Sequence, residues 1–159
     1  MMCTFSLIKG LPVYSKDGER VGMICDLAIS GDGHVAGVIV HQQAFFKKTY
    51  YIPLGQVYSF GEHGVVIEDY DSSLRQIKCP QNLQKFSGDH LFGKMLMSQK
   101  GEELGLLHDV YFQEKMGTIV AYETTDGFFS EISEGRRMVE CGLPPALGKD
   151  AIIVSVYDL

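Results

Sequence analysis

The sequence predicts an all-β protein made of two small barrels or sandwiches in tandem. The main observation is an internal repeat, because the stretch from Gly10 to Ile29 recurs 83 positions later, from Gly93 to Phe112. Six positions are identical between the copies and five more stay apolar. In addition, short β-branched segments alternate with Gly and Asp turns at a spacing of about 8 to 12 residues. Each module would hold roughly 70 to 75 residues, so we expect two marginally stable modules that lean on each other.

The first copy is expected to begin with a strand over Leu7 to Tyr14, preceded by an edge strand or a loose end over Met1 to Ser6. Asp17-Gly18 predicts a tight hairpin turn into a strand over Arg20 to Ser30, and Gly31-Asp32-Gly33 predicts the next turn. The remaining strands of the two copies are expected at Val35 to Val40, Tyr50 to Pro53, Val57 to Tyr58, Val65 to Glu68, Thr118 to Tyr122 and Ala151 to Val156.

The repeat pattern lapses between the copies. This divides the chain into a first barrel at residues 1–70, a linker at 71–89 and a second barrel at 90–159. Ser72 could cap a short helical turn containing Leu74 and Ile77, and Pro80 would end it. A single continuous core, or a long helix in place of the repeated strands, would argue against two modules.

Composition places the chain among ordinary globular proteins, with 45% apolar and 21% charged residues. Its longest apolar runs are far shorter than the roughly 18 residues that span a bilayer, so we expect a soluble, cytoplasmic protein without membrane insertion. The net charge of −6 divides into −1 up to Pro80 and −5 from Gln81 onward. An acidic second half opposes nonspecific nucleic-acid binding, since phosphate contacts supply most of that affinity.

Neither the four cysteines nor the five histidines are spaced like a metal site or a disulfide framework. Reduced thiols and no cofactor or metal are therefore predicted. Cys25 lacks a neighbouring His or helix N-terminus that would activate it as a nucleophile, which favours a buried, space-filling thiol. Cys25 and His108 occupy matching positions in the copies and could meet only if the barrels packed around a two-fold-like axis.

An acid recurs inside an otherwise apolar strand at Asp26 and Asp109. A carboxylate pair could perform acid-base chemistry. We favour a structural role in which each carboxylate accepts backbone N–H bonds where a bulge leaves donors unpaired. Gly22 and Gly105 precede these acids and are predicted to mark the point where each strand bends.

Two aromatic pairs, Phe45-Phe46 and Phe128-Phe129, also lie 83 positions apart. Adjacent residues of a strand point to opposite faces, so one ring of each pair can fill a barrel while the other faces outward. Outward rings at equivalent places could form an inter-barrel, dimer or partner surface. Closure of the barrel ends by both rings is the alternative. Near the second pair, Arg136 and Arg137 could bind a partner's carboxylate.

The best nucleic-acid candidate is Lys47-Lys48 beside Phe45, Phe46, Tyr50 and Tyr51, because single strands are bound by cations and stacking rings. Two lysines are few, and solvated lysines next to core aromatics are the favoured interpretation.

The first copy contains the motif Gly10-x-Pro-Val-Tyr-Ser-x-Asp-Gly-Glu-x-Val-Gly-x-Ile-x-Asp-Leu, which is echoed from Gly93, and later Tyr51-Ile-Pro-Leu. The second copy adds Ile119-Val-Ala-Tyr-Glu, Asp126-Gly-Phe-Phe-Ser-Glu and Gly135-Arg-Arg. These motifs resemble the PRC-barrel family, which includes the cytoplasmic domain of the photosynthetic reaction-centre H subunit and the C-terminal domain of the bacterial ribosome maturation factor. The second copy is similar to that of the small, largely uncharacterised tandem PRC-barrel proteins of Gram-positive bacteria. The resemblance implies SH3-like barrels that hold partners and have no catalytic residues to transfer.

We therefore predict a non-catalytic interaction module that binds an unidentified protein partner or a second copy of itself. The alternative is an RNA- or ribosome-associated accessory factor. An enzyme that uses Asp26, Asp109 or a cysteine is the least favoured hypothesis.

Overall fold

The protein folds into two β-sheets that follow the sequence repeat. The structure, a computed structural model, describes residues 2–43, 47–68, 78–126, 136–140 and 144–155. Within them, each sheet has seven strands, and the only helical elements are one short α-helix and one 3-10 turn. The prediction of an all-β protein with two small barrels in tandem is confirmed.

The elements are β1 (Met2–Thr4), α1 (Phe5–Ile8), β2 (Pro12–Ser15), β3 (Arg20–Ile29), β4 (Val35–Gln43), β5 (Lys47–Pro53), the 3-10 turn (Leu54–Gln56), β6 (Val57–Phe60), β7 (Val65–Ile67), β8 (Gln84–Lys85), β9 (Met95–Ser98), β10 (Glu103–Gln113), β11 (Ile119–Thr125), β12 (Arg136–Glu140), β13 (Ala146–Leu147) and β14 (Ala151–Val154).

The two sheets have equivalent strand orders. The first runs β5-β4-β3-β2-β7-β6 and the second runs β12-β11-β10-β9-β14-β13. In both, a tight hairpin leads into a long central strand, and the last strands return to pair in parallel with the opening strand, β7 with β2 and β14 with β9. The hairpin turns at Gly18 and Gly101 both have φ of +84°, a conformation that glycine adopts without strain. The duplicated sequence therefore encodes a duplicated sheet.

The start of the chain differs from the prediction of a strand over Leu7 to Tyr14. Residues Phe5–Ile8 form α1, and the strand begins only at Pro12. The Thr4 hydroxyl caps the helix by accepting a hydrogen bond from the Leu7 N–H at 3.3 Å. Met2–Thr4 form an edge strand, one of the two alternatives for this stretch. The helical turn expected at Ser72, Leu74 and Ile77 lies outside the described residues, as does much of the linker. The boundaries between the two barrels and the linker stay a prediction.

Two short segments cross from one sheet to the other. We call Met2–Ile8 the N-terminal arm and 84–88 the linker arm. In the N-terminal arm, β1 pairs antiparallel with β10 of the second sheet, in the register Cys3 with Phe112. In the linker arm, β8 pairs antiparallel with β3 of the first sheet, in the register Gln84 with Ile29. Because Phe112 and Ile29 are equivalent in the repeat, the two halves exchange arms around a pseudo-two-fold axis.

The halves also meet through the tips of two equivalent hairpins. The N–H of Val35 donates to the carbonyl of Gly117 at 2.7 Å, and the N–H of Ile119 donates to that of Gly33 at 3.2 Å. Gly117 has φ of +75°, and a Cβ there would lie 2.2 Å from the Val35 carbonyl oxygen. Glycine at this tip allows the close approach that these hydrogen bonds need.

Buried side chains of both halves belong to one connected hydrophobic core. Two separate modules were expected to have two separate cores, and on this point the structure differs from the prediction. The two sheets keep separate strand orders, but their cores join where the rings of Phe5 and Phe86, and of Phe60 and Phe112, meet edge to face. Small barrels bury too little surface alone, so a merged core adds burial that neither half supplies.

Candidate functional site

The two glycines predicted to mark strand bends lie where neighbouring strands approach closely. A Cβ added at Gly22 would lie 2.5 Å from the His41 carbonyl oxygen, and one at Gly105 would lie 2.7 Å from that of Thr125. Gly105 has φ of +114° and adjoins a break in the register between β9 and β10. The register between β2 and β3 is broken opposite Gly22 as well. Neither position has room for a side chain.

Asp26 lies directly after a bulge and anchors the linker arm. The register of β3 against β4 shifts between Ile24 and Asp26. The Asp26 side chain is buried, and its Oδ1 accepts hydrogen bonds from the N–H groups of Leu27 and Ser87, each at 2.9 Å. Its Oδ2 accepts from the Gly88 N–H at 2.9 Å. One carboxylate thus fixes a strand of its own barrel to the arm that arrives from the linker.

Asp109 does the same for the N-terminal arm. It follows a register shift between Leu107 and Asp109, and only 2% of its surface is exposed. Its Oδ1 accepts from the N–H groups of Val110 at 2.9 Å and Ser6 at 3.2 Å, and its Oδ2 accepts from the Ser6 hydroxyl. In the two halves together, five backbone N–H groups and one hydroxyl group donate to these two carboxylates. A bulge or a chain crossing would otherwise leave such donors unpaired.

These bonds limit what the acids can do chemically. Each carboxylate is buried and accepts three hydrogen bonds from the protein itself, whereas a general base must lie within reach of a substrate proton. Within the described ranges, no group of three His, Cys, Asp or Glu side chains is arranged to hold a metal ion. Asp26 and Asp109 therefore have a structural role, since each holds a strand to the arm that crosses from the other half. We call each aspartate, together with its hydrogen-bond donors, a latch.

The described thiols are held in their neutral form. Burial raises the pKa of Cys3 to about 11, and the Glu114 carboxylate adds to the shift. Burial is also the largest cause of the raised pKa values of Cys25 and Cys79, which pack against a small buried cluster containing Tyr51. A thiol with a raised pKa is a poor nucleophile near neutral pH.

Cys25 and His108 lie at equivalent bulges of the two sheets. The His108 ring contacts the Phe92 ring at an interplanar angle of 46°, with centroids 5.6 Å apart. Lys9 lies 5.7 Å above the Phe5 ring at the matching place in the other half. The two equivalent corners therefore differ in their side chains.

Described strands lie on either side of the segments that contain the two aromatic pairs, and we refer to these segments as the aromatic loops. Phe45, Phe46, Phe128 and Phe129 lie outside the described residues. On either side of them, Lys48 lies opposite Gln42 in the first sheet and Arg136 lies opposite Thr125 in the second. Lys48 and Arg137 are exposed. The described strands next to both aromatic pairs thus carry basic residues.

An open pocket of about 170 Å³ lies between the start of β3 and the end of β4. It is lined by Arg20, Val21, Gly22 and Gln42. The hydroxyl of Tyr50 donates to the Gln42 side chain, which holds that amide at the pocket wall. The pocket is polar at its mouth because Arg20 is exposed.

Sequence reasoning missed the residues that complete the latches. Phe5 and Ser6 are matched by Phe86 and Ser87, which lie 81 positions later rather than 83. A comparison at the fixed repeat distance does not align them. The signal that could have found them is the Phe-Ser pair shortly before each copy of the repeat.

Comparison with known proteins agrees with this geometry. The pattern of the PRC-barrel domain matches residues 2–74 and 84–158. The chain belongs to the PRC-barrel family. It is 31% identical over 135 residues to the uncharacterised protein YrrD of Bacillus subtilis (strain 168), an alignment that spans 84% of this chain and 75% of that protein. The predicted membership of the tandem, uncharacterised type of PRC-barrel protein is thereby confirmed. No described helix has the length and apolar character that crossing a membrane requires.

Proposed function

We propose that this PRC-barrel protein is a non-catalytic, cytoplasmic adaptor that binds another protein through its two aromatic hairpin loops. The binding residues are Phe45, Phe46, Phe128 and Phe129, with Arg136 and Arg137 pairing with acidic groups of the partner. The observation that supports this most directly is the exchange of arms between the halves. It joins the two barrels through paired strands, and we expect the two aromatic pairs to be presented to a partner at a fixed separation as a result.

Preorganisation is the physical advantage of such an arrangement. Two linked sites bind with a higher effective concentration when their separation is fixed to match the ligand. Aromatic rings and arginine are the residues that contribute most to protein interfaces. An adaptor needs this geometry and no reactive group, which agrees with the occupied carboxylates and neutral thiols.

The charge of the chain favours a protein over a nucleic acid as the partner. From Gln81 onward the net charge is −5, whereas sustained phosphate contacts need a positive surface. RNA or ribosome binding through Lys47 and Lys48 is the alternative. Binding to RNA would weaken with rising salt and be lost on nuclease treatment, which distinguishes it from binding to a protein.

The test is quantitative crosslinking followed by mass spectrometry in the native cell. Phe128→Ala and Arg136→Ala are each compared with Tyr58→Ala, which removes an aromatic ring that is 53% exposed on β6, at the opposite end of the strand order from β5. We expect the same partner to be lost with the first two variants, to be kept with Tyr58→Ala, and to survive nuclease treatment.

Two results would contradict the proposal. If the partners still crosslink to the Phe128→Ala and Arg136→Ala variants, the aromatic loops are not part of the interface. Particles that release the protein on nuclease treatment or with rising salt would favour the RNA-associated function instead.

A further inference from the structure

We propose that the groove on β10 that holds the N-terminal arm is a recognition site for an extended protein segment in which Phe-Ser follows a short strand. The arm is the ligand seen in the structure, and a partner segment of the same chemistry would take its place. This site is separate from the aromatic loops and does not depend on them.

The first component of recognition is backbone pairing. β1 adds to the edge of β10 through Met2 with Gln113, Cys3 with Phe112 and Thr4 with Tyr111. A strand added to a sheet edge gains main-chain hydrogen bonds whatever its side chains are. This part of the groove fixes the direction and register of a ligand.

The second component is an aromatic socket. The Phe5 ring is 5% exposed and packs edge to face on Phe86, with centroids 4.9 Å apart and planes at 69°. Phe86 belongs to the linker arm and is itself fully buried, so one wall of the socket stays in place when the N-terminal arm leaves. The socket selects an aromatic ring at the residue after the short strand.

The third component is the Asp109 carboxylate. It accepts both the N–H and the hydroxyl of Ser6, two donors from one residue. An alanine in the ligand would lose the hydroxyl bond, and a proline would lose the N–H bond. Serine directly after phenylalanine is therefore read by its side chain as well as its backbone.

The linker arm occupies the equivalent place in the other half, where the second donor to the aspartate is a backbone N–H group instead of the serine hydroxyl. There the N–H of Phe86 donates to the Leu27 carbonyl at 2.9 Å, and Ser87 and Gly88 donate to Asp26. The two bound segments differ before the shared pair, with Thr4 against Lys85, and after it, with Leu7 against Gly88. Phe-Ser is what the two ligands have in common.

The N-terminal arm has the properties of an exchangeable ligand. It pairs over three residues only, and its helix is a single turn that has little stability of its own. Met2 is 58% exposed and Leu7 is 73% exposed, although Cys3, Phe5 and Ile8 are buried. A short terminal element with few strand pairings can open locally at a lower free energy than unfolding of the whole protein.

The experiment uses a labelled peptide of residues 2–8, Met-Cys-Thr-Phe-Ser-Leu-Ile, titrated under reducing conditions against the full chain. An arm-weakened chain carries Phe5→Ala and Ser6→Ala. Because the resident arm lowers the apparent affinity of any competitor, we expect the peptide to bind the arm-weakened chain at least about tenfold more tightly than the wild type. Amide NMR shifts should change at Tyr111 to Gln113.

Two matched controls test specificity. A peptide with Phe5→Ala should bind at least about tenfold more weakly, because it no longer buries the ring. Asp109→Asn added to the arm-weakened chain should weaken the peptide, while Asp26→Asn, the same change at the other groove, should leave its affinity unchanged.

Equal binding of the two peptides, or no saturable binding up to about 1 mM, would overturn the proposal. If the doubly substituted chain lacks a cooperative unfolding transition, Ser6→Ala alone replaces it. The same ranking of the two peptides is then required. Assembly of the arm-weakened chain with wild-type chains would identify a second copy as the source of the segment.

Discussion

The rings of Phe5 and Phe86 lie edge to face, 4.9 Å apart, although 81 positions separate them in the chain. Each precedes a serine whose N–H donates to the aspartate of the opposite half, Ser6 to Asp109 and Ser87 to Asp26. The contact therefore lies at the centre of the exchanged arms. It joins the two barrels more closely than a linker alone could, and the stability of each half depends on it.

Replacing Phe5 with Ala is expected to lower the free energy of unfolding by about 3 to 5 kcal/mol, since it leaves a cavity in the shared core. Phe86→Ala should cost a similar amount. Both halves should unfold in one cooperative transition. Hydrogen exchange followed by mass spectrometry reports the protection of each half separately, and both halves should lose protection at the same denaturant concentration. Leu7→Ala, at a side chain that is 73% exposed, is the control. Separate transitions for the two halves would contradict the shared core.

Asp109→Asn is expected to destabilise the protein by about 1 to 3 kcal/mol, because an amide offers one oxygen to donors that now share two. Chemical denaturation gives the change. The exposed residue Glu102 lies nearby on the chain, and Glu102→Gln is the matched control for charge. In a double-mutant cycle, Ser6→Ala should cost much less in the Asp109→Asn background than in the wild type. Additive effects would show that Ser6 and Asp109 act independently.

Gly117→Ala is expected to destabilise the joint between the hairpin tips. The residue has positive φ, and the new Cβ would lie 2.2 Å from the Val35 carbonyl oxygen, so the backbone must move. We expect a loss of at least about 1 to 2 kcal/mol in thermal or chemical unfolding. Gly55→Ala, where a Cβ meets nothing within 4 Å, should have little effect. Equal stability of the two variants would contradict the close approach.

The thiol of Cys3 should react slowly with alkylating reagents at pH 8, because its pKa is raised from 9.0 to about 11. The unfolded chain, with the ordinary pKa, loses this proton first. The stabilising contribution of the neutral thiol is therefore complete below pH 9 and is lost as the pH rises towards 11. Alkylation rates followed by mass spectrometry, in native buffer and in denaturant, measure the difference. Fast alkylation of Cys3 in the native protein would contradict its burial.

How far the sequence predicted this fold depends on the range of the interactions. The hairpins at Gly18 and Gly101 and the long strands β3 and β10 follow from local turn chemistry and alternating apolar residues, and these were predicted. The helix Phe5–Ile8 was not, because four residues are too few to show a helical period. The exchange of arms was missed because two extra residues in the linker arm shift Phe86 and Ser87 out of the repeat distance.

The candidate site shows the same division. Asp26 and Asp109 were singled out because acids inside apolar strands are unusual, and the expected backbone donors are present. Their further donors come from Ser6, Ser87 and Gly88, which belong to the opposite half in space. No local pattern encodes such a partner. The aromatic loops lie outside the described residues, and their role stays a prediction.

The exchange of arms also sets the order in which the protein can reach its native state during synthesis. The strand partner of Met2–Thr4 lies more than 100 residues further along the chain, at Tyr111–Gln113. The first barrel emerges without β8, so its β3 edge is uncovered until Gln84–Lys85 have been made. At a translation speed of about 5 to 20 residues per second, the nascent polypeptide spends seconds with an open edge. Chaperones therefore have their best opportunity to bind this protein before translation is complete.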